Sequence, residues 1–129
     1  MTWGQPSKPV AHTLEAREYR LYFGRTRYGG LPISDGELAL FLAREVDSKL
    51  TGYSLDSLIG YYVPADRKQA YQEPCTLLIY ASARASDYAL LVSIANVYCR
   101  DFQQTSVLLT ASPLASCEFV GSLESSLCT

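Results

Sequence analysis

Two arginines and two glycines lie close together after residue 24, in a segment whose residue types suit the binding of an anion. The loop runs from Arg25 to Gly30 and also contains Arg27, Tyr28 and Gly29. Arginine can contact a carboxylate or a phosphate through two parallel hydrogen bonds, and glycine lets the backbone approach a ligand closely. The loop therefore predicts a small binding site for an anionic molecule or an acidic partner.

A helix is predicted to begin soon after this loop. Ser34 and Glu37 have the spacing of a capping box, in which each side chain bonds to the other residue's backbone N–H. The free N–H groups at a helix start attract anions, but Asp35 and Glu37 already supply negative charge there and would repel one. The sequence leaves two interpretations open: an anion site, or an ordinary turn with solvated arginines.

Other catalytic and metal-binding chemistry has little support in the sequence. The single histidine, His12, stands in a polar N-terminal stretch, away from any partner for a hydrolytic triad or a haem. Among the acid–base candidates, Glu45 and Asp47 would point about 200° apart on a helix of 3.6 residues per turn. For these residues, and for the further candidates Asp56 and Tyr61, the other interpretation is an ordinary solvated face. We therefore predict no catalytic residue, no metal ligand and no cofactor.

The composition fits one folded domain. The chain has 129 residues, of which 48% are hydrophobic, and a formal net charge of −2. That charge gives no general affinity for nucleic acid. Basic residues exceed acidic ones among the first 33 residues, whereas acidic residues predominate in the rest of the chain. This asymmetry also fits an anionic ligand or an acidic protein partner at the basic end.

The four cysteines show no C-x-x-C spacing. Cys75 opens a predicted strand and Cys99 lies late in a predicted helix. We expect all four, including Cys117 and Cys128, to be buried free thiols, with a disulfide or a metal site as the alternatives.

The N-terminus has no apolar run of the kind found in a secretory signal, and no stretch approaches the roughly 20 apolar residues of a membrane span. We therefore expect a cytoplasmic protein without membrane contact. Gly4, Pro6 and Pro9 oppose regular structure near the N-terminus. These patterns predict a flexible leader over residues 1–15, one domain over 16–120 and a frayed tail over 121–129.

Hydrophobic spacing predicts four strands and two helices. The strands are expected at Glu18–Thr26, Leu55–Val63, Cys75–Ala81 and Thr105–Ala111. Ala65–Pro74 reads as the connection of a hairpin. The first helix, capped by Ser34 and ended at Thr51-Gly52, is expected to bury Leu38, Phe41, Leu42, Val46 and Leu50. The second, capped by Ser86 or Asp87, is expected to bury Tyr88, Leu91, Ile94, Ala95, Tyr98 and Phe102.

The order β-α-β-β-α-β predicts a ferredoxin-like α+β sandwich, with a four-stranded antiparallel sheet and both helices on one face. The other face is expected to be uncovered and, if side chains alternate simply, to carry Tyr22, Tyr62 and Tyr80. An exposed aromatic face usually contacts a second protomer, a ligand or RNA. RNA is disfavoured because the third strand has no basic residue.

Several short motifs resemble a bacterial family of small domains of unknown function. Leu21-Tyr22-Phe23-Gly24 resembles that family's E-L-Y-F-G opening strand, and Phe41–Val46 resembles its F-L-x-x-E-V helix. The other matching elements are the Gly60-Tyr61 pair, the Leu77-Leu78-Ile79 strand and a closing pattern formed by Tyr98, Phe102, Gln104, Ser106 and Val107. The resemblance covers about residues 18–120 and implies the same fold, without implying an activity.

The sequence thus predicts a non-catalytic interaction or assembly module that self-associates through its sheet face. The alternative is a protein that binds a small anionic molecule, or a cofactor-free enzyme of the dimeric α/β-barrel type. That alternative would use the loop from Arg25 to Gly30 together with the sheet tyrosines.

Overall fold

The computed structural model describes residues 16–63 and 71–121 together with the backbone of residues 125–127. The strands are β1 (Arg17–Gly24), β2 (Ser54–Tyr62), β3 (Tyr71–Ser82), β4 (Leu108–Pro113), β5 (Glu118–Val120) and β6 (Ser125–Leu127). The helices are α1 (Asp35–Phe41), which continues as a π-helix over Leu42–Val46, and α2 (Asp87–Phe102). The predicted leader and His12 lie outside the described residues.

The main sheet has four antiparallel strands in the order β2-β3-β1-β4. β1 is an inner strand, and its Leu21 lies opposite Leu78 of β3 and Leu109 of β4. α1 joins β1 to β2 and α2 joins β3 to β4, so each helix crosses over an intervening strand, and both pack on one face of the sheet. This arrangement confirms the predicted ferredoxin-like α+β fold.

The hydrophobic core lies between the sheet and the two helices. Tyr19, Leu21 and Phe23 alternate along β1 on the helix side and are buried. The ring of Phe23 lies 5.9 Å from that of Phe41 on α1 and 4.4 Å from that of Tyr98 on α2. Burying one such large apolar side chain contributes roughly 1.5–3 kcal/mol, so these contacts fix both helices on the sheet.

The helix predictions are confirmed at nearly every buried position. All five residues of the predicted first stripe are buried, and so are the predicted residues of α2 from Leu91 to Phe102. Tyr88 is the exception: it is half exposed because it lies in the first turn of α2, at the end of the core, where its ring lies 6.5 Å from that of Tyr19. The first helix also changes type, since the N–H of Asp47 donates to the carbonyl of Leu42 at 2.8 Å, a π-helical spacing.

The prediction that Tyr80 lies on the face opposite the helices is wrong. Tyr80 lies opposite Tyr19 across the β1–β3 ladder and is only 2% exposed within the core. Tyr22 lies opposite Leu77 and therefore belongs to the other side of the sheet. We call that side, which faces away from the helices, the second face. It carries Tyr22 and Tyr62 as predicted, but Leu77 and Cys75 at its centre are buried, so it is not uniformly exposed.

β3 begins earlier than predicted, because residues 71–74 belong to the strand rather than to a loop. Proline usually excludes a central strand position, since it lacks an N–H group. Pro74 is tolerated because β1 ends at Gly24, which lies opposite Cys75. The position of the missing N–H therefore faces the end of β1, where no paired strand residue would accept it. The carbonyl on that side is used, and it accepts the N–H of Arg25 at 2.9 Å.

The C-terminal part of the described chain forms a separate two-stranded sheet of β5 and β6. β6 overlaps the predicted frayed tail, of which residues 122–124, 128 and 129 lie outside the described residues. Cys117 is disulfide-bonded, which corrects the expectation of a free thiol there. Cys75 is a buried free thiol, as expected, whereas Cys99 is free but only partly buried. No helix among the described residues is long and apolar enough to span a membrane.

Candidate functional site

Arg25, the first arginine of the predicted anion loop, is bound within the fold. Its Nη1 donates to Thr76 Oγ1 at 3.0 Å, and its Nη2 donates to the carbonyl of Ile33 and to Asp35 Oδ1, both at 2.8 Å. The Nε is buried without a hydrogen-bond partner. Arg25 thus joins the end of β1, the start of α1 and β3.

Arg27 is also held by the start of the first helix. Its guanidinium forms a two-point contact with the carboxylate of Glu37 and lies over the ring of Phe102, 5.4 Å from the centroid. The capping box is complete, because Ser34 N–H donates to Glu37 Oε1 and Glu37 N–H donates to Ser34 Oγ, each at 3.0 Å. These bonds lower the pKa of Glu37 to about 2, with the Arg27 contact as the largest cause.

The tip of the loop is a tight turn. Arg27 N–H donates to the carbonyl of Leu31 at 2.7 Å, and Gly30 N–H donates to the carbonyl of Arg27 at 2.8 Å. Gly29 and Gly30 have φ values of 102° and 96°, a region that favours glycine, which explains the pair of glycines. Tyr28 extends into solvent at this tip. The two arginines and the two glycines therefore all have structural roles, and the anion-binding hypothesis stays a prediction without a free guanidinium to carry it.

A groove of about 400 Å³ lies between α1 and β2. Leu38, Leu42 and Leu55 give it apolar walls, and Arg25 is the basic residue that lines it. Because Arg25 is already paired with Asp35, the groove offers no uncompensated positive charge to an anionic ligand.

A different group of side chains meets on the second face, at the end of the sheet where β1 stops. We call Tyr62, Tyr71, Glu73 and Gln104 the sheet-face cluster. Tyr62 and Tyr71 lie directly opposite each other on β2 and β3, and Glu73 lies two residues further along β3 on the same face. Gln104 reaches the same place from the segment that links α2 to β4.

Glu73 is the most unusual residue of this cluster, since a glutamate is rarely buried without a cationic partner. It is 9% exposed, and Oε2 of its carboxylate accepts the N–H of Thr26 at 3.0 Å. Burial raises the pKa of Glu73, and the bond from Thr26 opposes that rise only in part. A carboxyl group held in such a position is a common feature of ligand-binding and catalytic sites.

The two tyrosines of the cluster form a tilted ring pair beside this acid. Their ring centroids lie 5.4 Å apart at an interplanar angle of 36°, and both rings remain partly exposed. The Tyr62 hydroxyl lies over Gly60, where a Cβ would be only 3.2 Å from it, and Gly60 is the residue opposite Glu73. Burial raises the pKa of Tyr62, with a smaller contribution from the charge of Glu73.

Three side chains from distant parts of the chain fix the backbone next to the cluster. The Tyr98 hydroxyl donates to the carbonyl of Gly24 at 2.6 Å, and Gln104 Nε2 donates to the carbonyl of Thr26 at 2.9 Å. The third side chain is Glu73, which accepts the N–H of Thr26 as described above. Burial strongly raises the pKa of Tyr98, which keeps this hydroxyl protonated as a donor. The geometry of the cluster is therefore held by hydrogen bonds at its base.

The cluster offers a ligand hydrogen-bond acceptors and aromatic rings. Its described groups include one carboxylate, one amide oxygen and two phenol rings, and no basic side chain belongs to it. Carboxylates and aromatic faces both attract positive charge. No group of three or more potential metal ligands occurs among the described residues, so these acceptors do not form a metal site of that kind.

Sequence reasoning placed only Tyr62 of these four residues in a candidate site. Glu73 and Tyr71 were assigned to a hairpin connection because Ala65–Pro74 is polar, and Gln104 entered only as part of a family motif. The signal that could have identified Glu73 is the series Glu73, Cys75 and Leu77, in which successive residues are two apart. This series continues the alternation of the strand. Tyr80 belongs to the core, while Tyr22 lies on the second face near its centre.

The fold and the cluster together define a ferredoxin-like domain with an acceptor-rich site on its second face. The sequence matches, over residues 18–119, the family described as "Protein of unknown function (DUF3574)". The chain belongs to this family, which confirms the resemblance to a family of unknown function. A search of the curated proteins finds no match.

Two solved structures with a similar fold are of a phage SAM lyase. One, in complex with S-methyl-5'-thioadenosine, has a TM-score of 0.62 and 16% identity, and the match covers 77% of this chain and 81% of the lyase chain. The other, in the apo state, has a TM-score of 0.58 and 19% identity, with 75% and 79% covered. At these identities the likeness shows the shared fold alone.

Proposed function

We propose that this domain binds a small cationic nucleoside-like molecule at the sheet-face cluster, with S-adenosylmethionine (SAM) as the first compound to test. The observation that carries the proposal is the nearly buried carboxylate of Glu73 beside the adjacent, partly exposed rings of Tyr62 and Tyr71. SAM combines a positively charged sulfonium with an aromatic base. The carboxylate suits the charge, and the tyrosine pair suits stacking of the base.

The structural neighbours support this choice of compound. Their names state an activity on SAM, and one of them contains S-methyl-5'-thioadenosine. For the present chain these names only suggest a ligand class, because the sequence identity is low. The proposal therefore concerns binding and depends on the geometry of the cluster.

The position of Glu73 also fits a functional role better than a purely structural one. An ionised carboxylate that is largely removed from water destabilises the fold unless it is fully hydrogen-bonded. Among the described residues only the N–H of Thr26 donates to this carboxylate. A neutral residue would fill the same space at lower cost, so a ligand that uses the charge gives the best reason for its presence.

The test compares SAM with S-methyl-5'-thioadenosine, which has the same adenosine group but no sulfonium. Isothermal titration calorimetry should show binding of both to the wild-type protein. In Glu73→Gln, which keeps the shape of the side chain and removes its charge, we expect the affinity for SAM to fall at least tenfold and by more than the affinity for the thioadenosine.

Glu118→Gln is the matched control, because Glu118 is an exposed glutamate on the separate β5–β6 sheet. It should bind both compounds as the wild type does. Absence of SAM binding to the wild type, or equal losses for the two compounds in Glu73→Gln, would exclude the proposed role of the charge.

Self-association through the second face is the second candidate function. One observation favours it: Leu108 of the edge strand β4 is 59% exposed and lies opposite Tyr22 on the second face. A second copy of the chain could cover this edge of the face. The sheet-face cluster lies at the end of the same face, so that a dimer would place its ligand sites near the interface.

A further inference from the structure

Two acceptor oxygens lie close to Gly24, at the end of β1. A Cβ built on Gly24 would lie 2.8 Å from Gln104 Oε1 and 2.8 Å from Glu73 Oε2. Real Cβ atoms essentially never lie that close to another atom, so glycine at this position leaves room for both side-chain ends beside the strand. Glu73 comes from β3 and Gln104 from the segment before β4, and these strands flank β1 on either side.

The orientation of the Gln104 amide is fixed by its hydrogen bonds. Its Nε2 donates to the carbonyl of Thr26 at 2.9 Å and to the carbonyl of Phe102 at 3.1 Å. Both donor hydrogens are therefore used, and Oε1 is the atom left to face Glu73. None of the described residues donates a hydrogen bond to this oxygen.

The Glu73 carboxylate likewise has unused acceptor capacity. Its Oε2 accepts the N–H of Thr26, and no described group donates to its Oε1. Arg25 Nε is the one side-chain polar atom in the described ranges that is both fully buried and unpaired. Neither side chain is completely enclosed by the described residues: Glu73 is 9% exposed, and Gln104 is partly buried.

We infer that Glu73 and Gln104 form a subsite for the vicinal diol of a ribose. This inference rests on the proposed function and names the part of the ligand that this pair recognises. A vicinal diol presents two adjacent O–H donors, which match two adjacent acceptors, and binding of ribose hydroxyls by a carboxylate is a familiar arrangement in nucleotide-binding proteins. The subsite lacks donors, so a phosphate or a carboxylate group would be repelled from it.

The subsite is compatible with a sulfonium nearby. In a 5'-sulfonium nucleoside the sulfur is separated from the ribose diol by only a few bonds. Glu73 can therefore accept a hydrogen bond from a hydroxyl while its charge acts on the sulfonium. Tyr62 and Tyr71 lie on the same face beside Glu73, where the remainder of the ligand would extend.

The inference is tested on the ligand side, with the wild-type protein. Affinities are measured by calorimetry for S-methyl-5'-thioadenosine and for its 2'-deoxy and 3'-deoxy counterparts. Loss of one hydroxyl leaves an acceptor unpaired, so we expect each deoxy compound to bind at least tenfold more weakly. A loss of this size for both compounds supports the diol subsite.

Equal affinity for all three compounds would overturn the inference and leave the proposed function intact. Binding of SAM without detectable binding of the thioadenosine would overturn it as well, because the shared ribose would then contribute too little. If neither SAM nor any of the nucleosides binds, the proposed function fails, and the inference fails with it.

A second measurement uses Gly24→Ala, whose methyl group must push the two oxygens apart. In this variant the ratio of the affinity for S-methyl-5'-thioadenosine to the affinity for its deoxy forms should fall to less than about threefold. The ratio falls because the two acceptors no longer bind the two hydroxyls together. Gly52→Ala is the control, because a Cβ at Gly52 meets nothing within 4 Å and should leave the preference unchanged. Circular dichroism confirms that both variants are folded.

Discussion

At the scale of single residues, Glu73 combines a role proposed in binding with an unfavourable effect on stability. Burial raises its pKa above the ordinary glutamate value. An acid whose pKa is raised on folding stabilises the folded state at pH values below its unfolded-state pKa, which is near 4.3 for glutamate. That contribution is lost as the pH rises through the folded-state value. At neutral pH the ionised carboxylate therefore lowers the free energy of unfolding.

Glu73→Gln should accordingly be more stable than the wild type at pH 7. The amide oxygen can still accept the N–H of Thr26, while the charge is removed. Below about pH 4 the wild-type side chain is protonated in both states, and the difference between the two proteins should disappear. Urea unfolding at both pH values measures this. A variant less stable than the wild type at pH 7 would contradict the assigned direction.

Asp87 is a second buried carboxylate, but unlike Glu73 it accepts hydrogen bonds from several side chains, which gives it a structural role. It accepts the hydroxyls of Tyr80 and Ser82 at 2.8 and 2.6 Å and the Nε of Arg84 at 3.3 Å. These contacts attach the start of α2 to the end of β3. They also give the physical reason why Tyr80 turns towards the core.

Asp87→Ala should lower the free energy of unfolding by about 3 kcal/mol, because it leaves two buried hydroxyls without their acceptor. Asp56→Ala is the control, since Asp56 is exposed on β2, and its change should stay within about 0.5 kcal/mol. Chemical denaturation of both variants measures the difference. Equal effects at the two positions would show that the network contributes little.

At the scale of secondary-structure elements, the start of the first helix depends on the same groups that were predicted to bind an anion. Glu37 closes the capping box and pairs with Arg27, and together these contacts lower its pKa to about 2. An acid whose pKa is lowered on folding stabilises the protein above its unfolded-state value. That stabilisation is lost as the pH falls through the folded-state value.

The melting temperature of the wild type should therefore include a contribution from Glu37 that disappears between about pH 4.3 and pH 2. Glu37→Gln should have a lower melting temperature than the wild type at pH 6, and the two proteins should converge near pH 2. Glu118→Gln should follow the wild type over the whole range. A constant difference between Glu37→Gln and the wild type would refute the role of this charge.

At the scale of the whole molecule, the second face carries both the proposed ligand site and the proposed interface between two copies of the chain. If a second copy covers its β4 edge, Leu108→Glu should convert a dimer into a monomer, because a buried unpaired charge is strongly unfavourable at an interface. Leu40→Glu is the matched control: Leu40 is 56% exposed, close to the 59% of Leu108, but lies on α1. Sedimentation velocity measures the mass, and a monomeric wild type would contradict this proposal.

The disulfide at Cys117 bears on where the protein functions. Disulfides persist in oxidising compartments and are rare in the cytosol. The N-terminal sequence predicted a cytoplasmic protein, whereas this bond favours an oxidising environment.

Much of the fold could be predicted because it depends on neighbours close in the sequence. The Ser34–Glu37 capping box and the buried stripe of the first helix follow from spacings of three and four residues. Strand β1 follows from the alternation of Tyr19, Leu21 and Phe23. Such patterns express which side of an element is apolar, and the hydrophobic effect then determines which side is buried.

The orientation of β3 could not be predicted in this way. Residues 75–80 are apolar on both faces apart from Thr76, so the alternation does not show which side meets the helices. Register decides it, because a shift of one residue exchanges the two faces. Pairing of Tyr80 with Tyr19, and the Asp87 network beneath it, placed Tyr80 in the core.

The sequence by itself determined the order of elements, the two amphipathic helices, the turn glycines and the family. Only the tertiary structure decided which arginines are free and which acids are buried. Arg25 and Arg27 find their partners ten residues away, at Asp35 and Glu37. Glu73 on β3 and Gln104 in the segment before β4 both lie close to Gly24, because β3 and β4 flank the end of β1. Local patterns specify elements, whereas a site between strands depends on register and chain crossing, which no short stretch of sequence contains.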